Sequence, residues 1–356
     1  MSISRLQLQN FRNLVDQDLR FDSKFNIFWG KNGSGKTSIL EALYFLGNGK
    51  SFRTENRCSV IREGEQKATL LSELKYIQRQ IKLGIEFDKS NFRSRVDGND
   101  VKKRSELFYY LPLINLKPHL QEIFKDSPDV RRRMIDWGLF HVEHSYFREL
   151  GKYRKTLAQR NALLKSSGDL KQLGVWDNEL AQSGEFVSDQ RGSFIKNVNI
   201  KLNEILNEFE FNYDIDIAYK KGWGENLSLL EALKQRQDSD LKKGYTSTGP
   251  HRSDFIFSYK GRNIKETFSE GQKKILTVFL FSAILDILQK QTTLEVIVLF
   301  DDISSELDDI HLSIALEIFN KHPAQVFLTN IRQPEQQRLN AYQYRLFHVE
   351  QGQISY

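Results

Sequence analysis

The segment Gly30–Thr37, GKNGSGKT, matches the phosphate-loop pattern G-x-x-x-x-G-K-[ST] at every required position. An apolar run of strand length, Phe25–Trp29, precedes it, and Thr37–Leu46 follows it with apolar residues at helical spacing. In such a strand–loop–helix unit, backbone N–H groups and the helix N-terminus can surround the phosphates of a nucleotide. This stretch therefore predicts an α/β fold that binds ATP or GTP.

Two side chains of this loop have predicted roles of their own. Lys36 places a positive charge on the β- and γ-phosphates, and the Thr37 hydroxyl completes the coordination of Mg²⁺. The other predicted nucleotide-binding positions are the rest of the loop: Gly30, Lys31, Asn32, Gly33, Ser34 and Gly35.

A second chemical signal lies near the C-terminus, where Val296–Asp302, VIVLFDD, is an apolar strand pattern ending in two carboxylates. This is the Walker B arrangement, in which Asp301 reaches the carboxyl edge of the sheet and holds Mg²⁺ directly or through water. Asp302 then points at the attacking water and orients or polarises it. The alternative is an acidic strand end that only caps a turn.

Two shorter motifs support the same class of protein. Ser269–Gln272, SEGQ, begins a predicted helix that runs through Lys290, and alone it is only a helix cap. It precedes Walker B by about 30 residues, where it resembles the signature motif of ATP-binding-cassette proteins, and Ser304–Asp308 resembles their D-loop. In that class the signature of one protomer closes on the nucleotide of the other. Ser269 and Gly271 are therefore expected to contact ATP across a two-fold dimer.

The chain has 356 residues, which predicts two domains or one enlarged domain with an insert. Strand patterns occur in 1–126 and again in 244–356, whereas 127–243 is charged, amphipathic and helical in pattern. We therefore predict an ABC-type P-loop ATPase head, formed by 1–126 and 244–356, with a helical arm domain inserted at 127–243.

Composition limits the class further. Lys and Arg number 52 against 46 Asp and Glu, a net charge of +6 that permits nucleic-acid binding without indicating it. The single cysteine, Cys58, excludes an internal disulfide and a cysteine-based zinc site. No apolar run reaches the roughly 20 residues of a membrane span, and the N-terminus shows no secretory signal, so we expect a cytoplasmic protein without a membrane partner.

Seven segments spread over nearly the whole chain carry a family resemblance. They are LQNFRNL (Leu8–Leu14), the phosphate loop, KSFRT (Lys50–Thr54), RRRMIDWGLFH (Arg131–His141), TGPHRSDF (Thr248–Phe255), SEGQKK (Ser269–Lys274) and DDISSELD (Asp301–Asp308). Together these segments resemble the RecF family of bacterial recombination and repair ATPases, which are related to SMC-type proteins. The resemblance implies a short helical arm where SMC proteins carry a long coiled coil.

The resemblance also implies a function. The implied protein is an ATP-dependent DNA clamp that forms a homodimer on ATP and binds duplex and single-stranded DNA at gaps. The resemblance further implies that the protein works with RecR and RecO to load RecA, in DNA repair, replication and the SOS response. The implied enzyme activity is weak, DNA-stimulated ATP hydrolysis without chemistry on DNA. Carried onto this chain, the resemblance implies these residue roles: phosphate and Mg²⁺ binding by Lys36 and Thr37, Mg²⁺ binding by Asp301, hydrolysis by Asp302, ATP contact across the dimer by Ser269 and Gly271, and a place near the nucleotide for Asn10 and Arg12.

Some features depart from the common ABC pattern. Asp302 stands where most ABC ATPases have Glu, and the strand Gln325–Thr329 ends in Thr329-Asn330 rather than in the switch His of transporters, so we expect slow hydrolysis. Asn115, in NLKP at 115–118, is the candidate equivalent of the Q-loop glutamine. His141 and His144 lack a third ligand at suitable spacing, so no metal site is expected there.

The candidate DNA contacts are positive side chains at the predicted junction of head and arm and on the arm itself: Arg131, Arg132, Arg133, Arg148, Lys152 and Lys155. No base-reading module is apparent, so little sequence specificity is expected. The alternative for Arg131–Arg133 is internal ion pairing with Asp126, Asp129 and Asp136.

Two other functions remain open from the sequence. One is a nucleotide-binding subunit that drives a membrane partner, and the other is an SMC-like chromosome-organising head. Stimulation of ATP hydrolysis by DNA distinguishes the DNA-binding function from the membrane-driving one.

Overall fold

The structure is a computed structural model that describes residues 1–76, 79–116, 119–125, 127–166, 170–292 and 294–356. The strands are β1 Ser2–Gln9, β2 Gln17–Arg20, β3 Phe25–Trp29, β4 Lys67–Lys75, β5 Gln80–Asp88, β6 Phe92–Val96, β7 Asn99–Asp100, β8 Leu113–Leu116, β9 Ile215–Lys220, β10 Asp254–Tyr259, β11 Arg262–Asn263, β12 Ile297–Phe300, β13 Gln325–Asn330, β14 Tyr344–Glu350 and β15 Gln353–Ser355. The helices are α1 Lys36–Asn48, α2 Leu107–Tyr110, α3 Glu122–Lys125, α4 Pro128–Val142, α5 His144–Lys165, α6 Leu170–Glu208, α7 Leu229–Lys243, α8 Ile264–Thr267, α9 Glu270–Gln291, α10 Ile303–Glu306, α11 Asp309–Lys321 and α12 Gln336–Leu339. Short 3-10 helices span Arg57–Val60, Arg104–Glu106 and Pro250–Arg252.

The chain divides into two compact units. The first contains Met1–Leu120 and Thr293–Tyr356, and the second contains Gln121–Thr292. The second unit therefore holds the predicted arm, 127–243, together with 244–292, which the sequence-based division places in the head. This difference has a physical cause, because β10 pairs along its whole length with β9, and α9 packs against α6.

One sheet of the first unit determines where the functional residues lie. Its strand order is β15-β14-β3-β13-β12-β8, and all neighbours are parallel except β14 and β15. The central strands β3, β12 and β13 are buried almost throughout, as expected for parallel strands covered on both faces. Since the carboxyl ends of parallel strands share one edge, the loops after β3, β12 and β13 lie side by side.

The second sheet of this unit is antiparallel, with the order β2-β1-β4-β5-β6-β7. Helix α1 packs against strands of both sheets, and all three share one hydrophobic core. The apolar residues that the sequence predicts on one face of this helix, Ile39, Leu40, Leu43 and Leu46, are buried, but so are Ala42 and Phe45. The helix is buried nearly all round because it has a sheet on two sides.

The second unit is mainly helical and contains a three-stranded antiparallel sheet, β11-β10-β9. Buried ion pairs connect its helices. Arg160 of α5 is fully buried, and it donates to Asp177 of α6 at 2.6 Å and to Asp240 of α7 at 2.9 Å. Arg191 of α6 donates to Asp136 of α4 at 2.9 Å and to the Pro250 carbonyl at 2.7 Å. Across the described residues of both units, no helix combines the length and apolar character that crossing a bilayer requires.

Candidate nucleotide-binding site

The phosphate loop adopts the strand–loop–helix geometry predicted from its sequence, since β3 ends at Trp29 and α1 begins at Lys36. Two glycines are required by the backbone. Gly30 has φ 155°, and a Cβ there would meet the Val349 carbonyl oxygen at 2.2 Å. Gly35 precedes α1 with φ 117°, in the region that disfavours residues with a Cβ. The loop therefore leads into the start of α1, where the first N–H groups have no hydrogen-bond partner within the helix.

Lys36 lies inside this loop. Its Nζ donates to the carbonyl oxygens of Gly30 at 2.7 Å and Lys31 at 2.9 Å, and the residue is buried. Burial lowers the pKa of Lys36, and the carboxylates of Asp302 and Asp301 act in the opposite direction. The ammonium group is thus held at the loop by neutral acceptors, which phosphate oxygens can replace with stronger, charged ones.

The Walker B carboxylates meet the first turn of α1. The Thr37 hydroxyl donates to Asp301 Oδ1 at 3.1 Å, so two residues 264 positions apart lie together as predicted. Thr329, at the end of β13, also donates its hydroxyl to Asp301 Oδ1, at 2.6 Å. The same hydroxyl accepts from the Asp302 N–H at 2.7 Å. One threonine side chain therefore positions both acidic residues.

Asp302 follows the strand in a left-handed conformation, with φ 51° and ψ 54°. Its Oδ1 is buried and has no hydrogen-bond partner among the described residues. Left-handed backbone is uncommon for residues other than glycine and is concentrated at functional sites. Asp302 thus lines the cavity and has one buried carboxylate oxygen without a partner among the described residues.

The cavity beside these groups has a volume of about 690 Å³. Its lining contains residues of the phosphate loop together with Thr37, Asp301, Asp302 and Thr329. Among the described residues there is no group of three or more His, Cys, Asp and Glu that could hold a metal ion. The oxygen atoms of Thr37 and Asp301 suit Mg²⁺, which prefers a few protein oxygens completed by water and phosphate. ATP and Mg²⁺ therefore fit the residues present.

Arginines form another part of the cavity wall. Arg12 lines the cavity and donates through Nε and Nη2 to the two oxygens of Glu41, at 2.9 and 2.7 Å. Glu41, in α1, is fully buried and also accepts from the Ser51 hydroxyl at 2.5 Å. Arg53 and Arg62 line the same cavity. The buried Glu41 carboxylate thus holds Arg12 in place beside the phosphate loop and lies 3.5 Å from Arg53 Nη1, whereas Arg62 pairs with Asp16.

The two residues expected near the nucleotide from the segment Leu8–Leu14 behave differently. Arg12 lines the cavity, whereas Asn10 does not. The Asn10 amide donates instead to Glu65 and to the Lys67 carbonyl, both at 3.2 Å. Asn10 therefore stabilises the neighbouring loop and strand.

Sequence reasoning did not assign three residues that line the cavity, Asn13, Arg53 and Arg62, nor the buried Glu41 that binds Arg12 behind it. Asn13 accepts from the Ser38 hydroxyl at 2.9 Å and donates to the Gly33 carbonyl at 3.3 Å. The signal that could have found Asn13 and Arg53 is their place in the segments Leu8–Leu14 and Lys50–Thr54, which carry the family resemblance.

The signature-like residues Ser269 and Gly271 lie in the second unit, at the start of α9. Ser269 caps the helix, since its hydroxyl accepts from Gln272 N–H at 3.3 Å and its own N–H donates to Gln272 Oε1 at 2.8 Å. Both Ser269 and Gly271 are exposed, and a Cβ on Gly271 would meet no atom within 4 Å. The helix end is therefore well formed and open to a ligand or a partner.

The structure favours the alternative interpretation for two of the candidate DNA contacts. Arg131 is buried and pairs with Asp254 at 2.7 Å, and Arg132 pairs with Asp129. Their guanidinium groups stabilise the second unit, which removes them as phosphate contacts. Asp136, another predicted partner, pairs with Arg191 instead, and Asp126 lies outside the described residues.

The remaining candidates stay at the surface. Arg133, Arg148 and Lys155 are exposed, and half-buried Lys152 lies 3.5 Å from Glu179. Contact of these four side chains with DNA stays a prediction.

The candidate Q-loop residue Asn115 lies on β8, which pairs with β12. Its amide nitrogen and oxygen are buried without hydrogen-bond partners among the described residues. Residues 117 and 118 of the same segment lie outside the described residues. Just beyond, the N–H groups of His119 and Leu120 donate to the carboxylate of Glu306, at 2.9 and 3.3 Å. The D-loop-like segment therefore holds the backbone that follows β8.

Known proteins resemble the chain over its full length. A family model described as the RecF/RecN/SMC N terminal domain matches residues 2–355. A DNA replication and repair protein RecF from Shewanella loihica is 34% identical, over 100% of this chain and 99% of its own length.

Two solved structures extend the likeness to the fold. The recombination mediator protein RecF-ATP in the RecFOR pathway is 26% identical, with a TM-score of 0.87 over 99% of this chain and 97% of that chain. An Smc head domain with an extended coiled coil, bound to the C-terminal domain of ScpA and derived from Pyrococcus furiosus, is 16% identical, with a TM-score of 0.61 over 99% and 95%. The predicted α/β head fold is confirmed.

Proposed function

The chain belongs to the RecF family, within the RecF/RecN/SMC N-terminal domain group, and from this we propose that it is an ATP-dependent DNA-binding protein of DNA replication and repair. The observation that carries the proposal is the meeting of the phosphate loop with the Walker B carboxylates, where Thr37 Oγ1 lies 3.1 Å from Asp301 Oδ1. The proposal includes weak ATP hydrolysis, stimulated by DNA, and no chemistry on the DNA itself.

In the proposed site, Lys36 releases its two loop carbonyls and binds the β- and γ-phosphates of ATP. Thr37 and Asp301 supply oxygen ligands for Mg²⁺, which when bound neutralises developing charge on the phosphates. Asp302, which lines the cavity, orients the attacking water with its carboxylate. Because Asp302 is one methylene shorter than glutamate, the proposed hydrolysis is slow.

We further propose that ATP drives formation of a homodimer. Ser269 and Gly271 of one protomer would contact the nucleotide of the other, because their helix end is exposed and presents the positive end of the helix dipole. Reciprocal contact of this kind requires two-fold symmetry and two shared sites. Hydrolysis would weaken the interface by removing the γ-phosphate contact.

The proposed partners follow from the family. DNA is bound without sequence preference, at gaps in a duplex, and RecR and RecO act with the protein to load RecA. The likeness to a RecF described in the RecFOR pathway supports these partners. The proposed place of action is where chromosomal DNA lies, the bacterial cytoplasm.

Binding to DNA under nucleotide control tests the proposal. Fluorescence anisotropy of a labelled gapped duplex is measured without nucleotide, with ADP and with ATP, for wild type, Lys36→Ala and the matched control Lys89→Ala, which removes an exposed charge outside the cavity. We expect strong binding only with ATP, lost in Lys36→Ala and kept in Lys89→Ala. Binding that ignores both nucleotide and Lys36 would contradict the nucleotide-gated mechanism, and ATP hydrolysis without any DNA binding would favour a membrane-driving subunit.

A further inference from the structure

A second concave cavity, with a volume of about 470 Å³, lies in the second unit and belongs to none of the groups described above. It is enclosed by the loop after β9, one face of α7 and the loop after α7. The lining residues that matter here are Trp223, Gln235, Arg236, Lys243, Ser247 and Thr248.

The walls of this cavity are held by hydrogen bonds. The Gly222 carbonyl accepts from the Thr248 hydroxyl at 3.1 Å and from the Gly249 N–H at 3.2 Å. Gly222 has φ 93°, and a Cβ there would meet the Gly249 carbonyl oxygen at 2.3 Å, so only glycine permits this approach of the two loops. The Trp223 indole donates to the Leu227 carbonyl at 3.0 Å. The cavity is therefore preformed.

Its charge is entirely positive. Arg236 and Lys243 are seven residues apart on α7, which is about two helical turns, so they share a face. Both are exposed, neither forms an ion pair with a described residue, and none of the described residues that line the cavity is acidic. Asp240 of the same helix is fully buried and accepts from Arg160 at 2.9 Å and from the Ser247 hydroxyl at 2.6 Å, so its charge is already compensated.

We propose that this cavity binds a phosphate group of a DNA backbone, with Arg236 and Lys243 as the charged contacts. Arginine, lysine and hydroxyl groups are the usual protein partners of backbone phosphates, and they position DNA without reading its sequence. Trp223 adds an aromatic wall of the kind on which sugars and bases pack. The volume lies within the range of about 300–1,000 Å³ that ligand sites occupy. The inference rests on the proposed function, because that function supplies DNA as the polyanion.

A pair of double variants in the full chain tests the assignment. Arg236→Ala/Lys243→Ala removes the cavity charges, and Lys234→Ala/Lys242→Ala removes the same charge from exposed positions of the same helix that do not line the cavity. Anisotropy of a labelled gapped duplex with ATP, over a series of salt concentrations, gives the affinity and its salt slope. Loss of two phosphate contacts lowers the slope of log affinity by about 1.8, and the affinity at about 0.1 M salt by roughly 60-fold if the loss is wholly electrostatic. The control pair is expected to keep the wild-type slope.

Equal slopes for the cavity pair and wild type would overturn the inference, and equal losses in the two pairs would assign the effect to the whole helix rather than to the cavity. Binding of a fluorescent ATP analogue and ATP-driven dimerisation are measured on the same samples and should match wild type, which separates a local defect from failure of the proposed function. A wild type that binds ATP but no DNA overturns both proposals.

A separate measurement distinguishes DNA from a free nucleotide as the source of the phosphate. Titration of AMP or inorganic phosphate is followed by tryptophan fluorescence in wild type and in Trp223→Phe. Micromolar binding of either small anion, with the DNA salt slope unchanged in the cavity pair, would assign the cavity to free nucleotides and overturn the DNA assignment. No response to the small anions, together with the lowered slope, supports it.

Discussion

Replacement of Glu41 by alanine tests whether a buried carboxylate holds Arg12 in the wall of the nucleotide cavity. Glu41 is fully buried, and Arg12 binds both of its oxygens, at 2.9 and 2.7 Å. Removing one partner of a buried ion pair costs about 3–5 kcal/mol, because the other charge is left uncompensated. The Arg12 side chain is 20% exposed and keeps its bond to the Ser59 carbonyl at 2.6 Å, so we take the lower end, about 3 kcal/mol.

This loss converts into a shift of the melting temperature. For a unit of the size formed by Met1–Leu120 and Thr293–Tyr356, each kcal/mol lowers Tm by about 2–4 °C. Glu41→Ala should therefore lower the Tm of the first unit by about 6–12 °C in a thermal scan followed by circular dichroism. Because Arg12 and Arg53 line the cavity, the affinity for a fluorescent ATP analogue, measured well below Tm, should fall about tenfold as well.

Glu63→Ala is the matched control, since Glu63 lines the same cavity but is exposed. An exposed substitution of this kind changes stability by about 0.5 kcal/mol or less, which corresponds to roughly 1–2 °C. If Glu41→Ala also melts within 2 °C of wild type and binds the analogue normally, then the carboxylate does not position the arginine, and the reasoning is refuted.

Two further substitutions probe the Walker B carboxylates and the second unit. Thr329→Val removes the hydroxyl that binds both Asp301 and the Asp302 N–H. ATP hydrolysis should therefore fall about tenfold or more, while binding of the ATP analogue changes less than threefold. Equal losses of hydrolysis and binding would contradict a positioning role. Burial lowers the pKa of His251 to about 4, so between that value and its ordinary 6.5 the unfolded chain binds the proton and the folded chain does not. Stability should therefore fall as the pH drops through this window, by about 2 kcal/mol between pH 7.5 and pH 5, and His251→Gln should remove that share in urea denaturation. Identical pH dependence in the variant and wild type would show that His251 does not titrate in this way.

The parts of the site that the sequence predicted are those set by contiguous residues. The pattern around Lys36 specifies a strand, a loop and a helix in order, and the structure has all three. Asp301 could be placed beside the phosphate loop because the Walker B pattern puts it at the carboxyl end of a buried strand, and the structure adds that β12, β13 and β3 are parallel, so their carboxyl ends share one edge. The order of the strands in the sheet was not needed for this inference.

The interpretation of the charged segment Arg131–Arg133 shows why sequence patterns fail for polar surfaces. A run of arginines looks the same whether its charges meet phosphate or internal carboxylates. Arg131 pairs with Asp254, which is 123 residues away and comes together with it only when α4 packs against β10. Desolvated pairs of this kind depend on tertiary packing, which no local periodicity encodes.

Thr329 and Asp302 show the same limit at the centre of the site. The sequence predicts the strand that ends in Thr329, and its lack of a switch histidine there predicts slow hydrolysis. The sequence pattern does not give the order of the strands in the sheet. Because β13 lies between β3 and β12, it brings the Thr329 hydroxyl between the phosphate loop and the Walker B carboxylates. That hydroxyl accepts from the Asp302 N–H at the residue where the chain turns left-handed, and Asp302 lines the cavity there. The position of the acidic residue proposed to orient water therefore depends on a neutral side chain from another strand, and a substitution on β13 should alter hydrolysis without touching either aspartate.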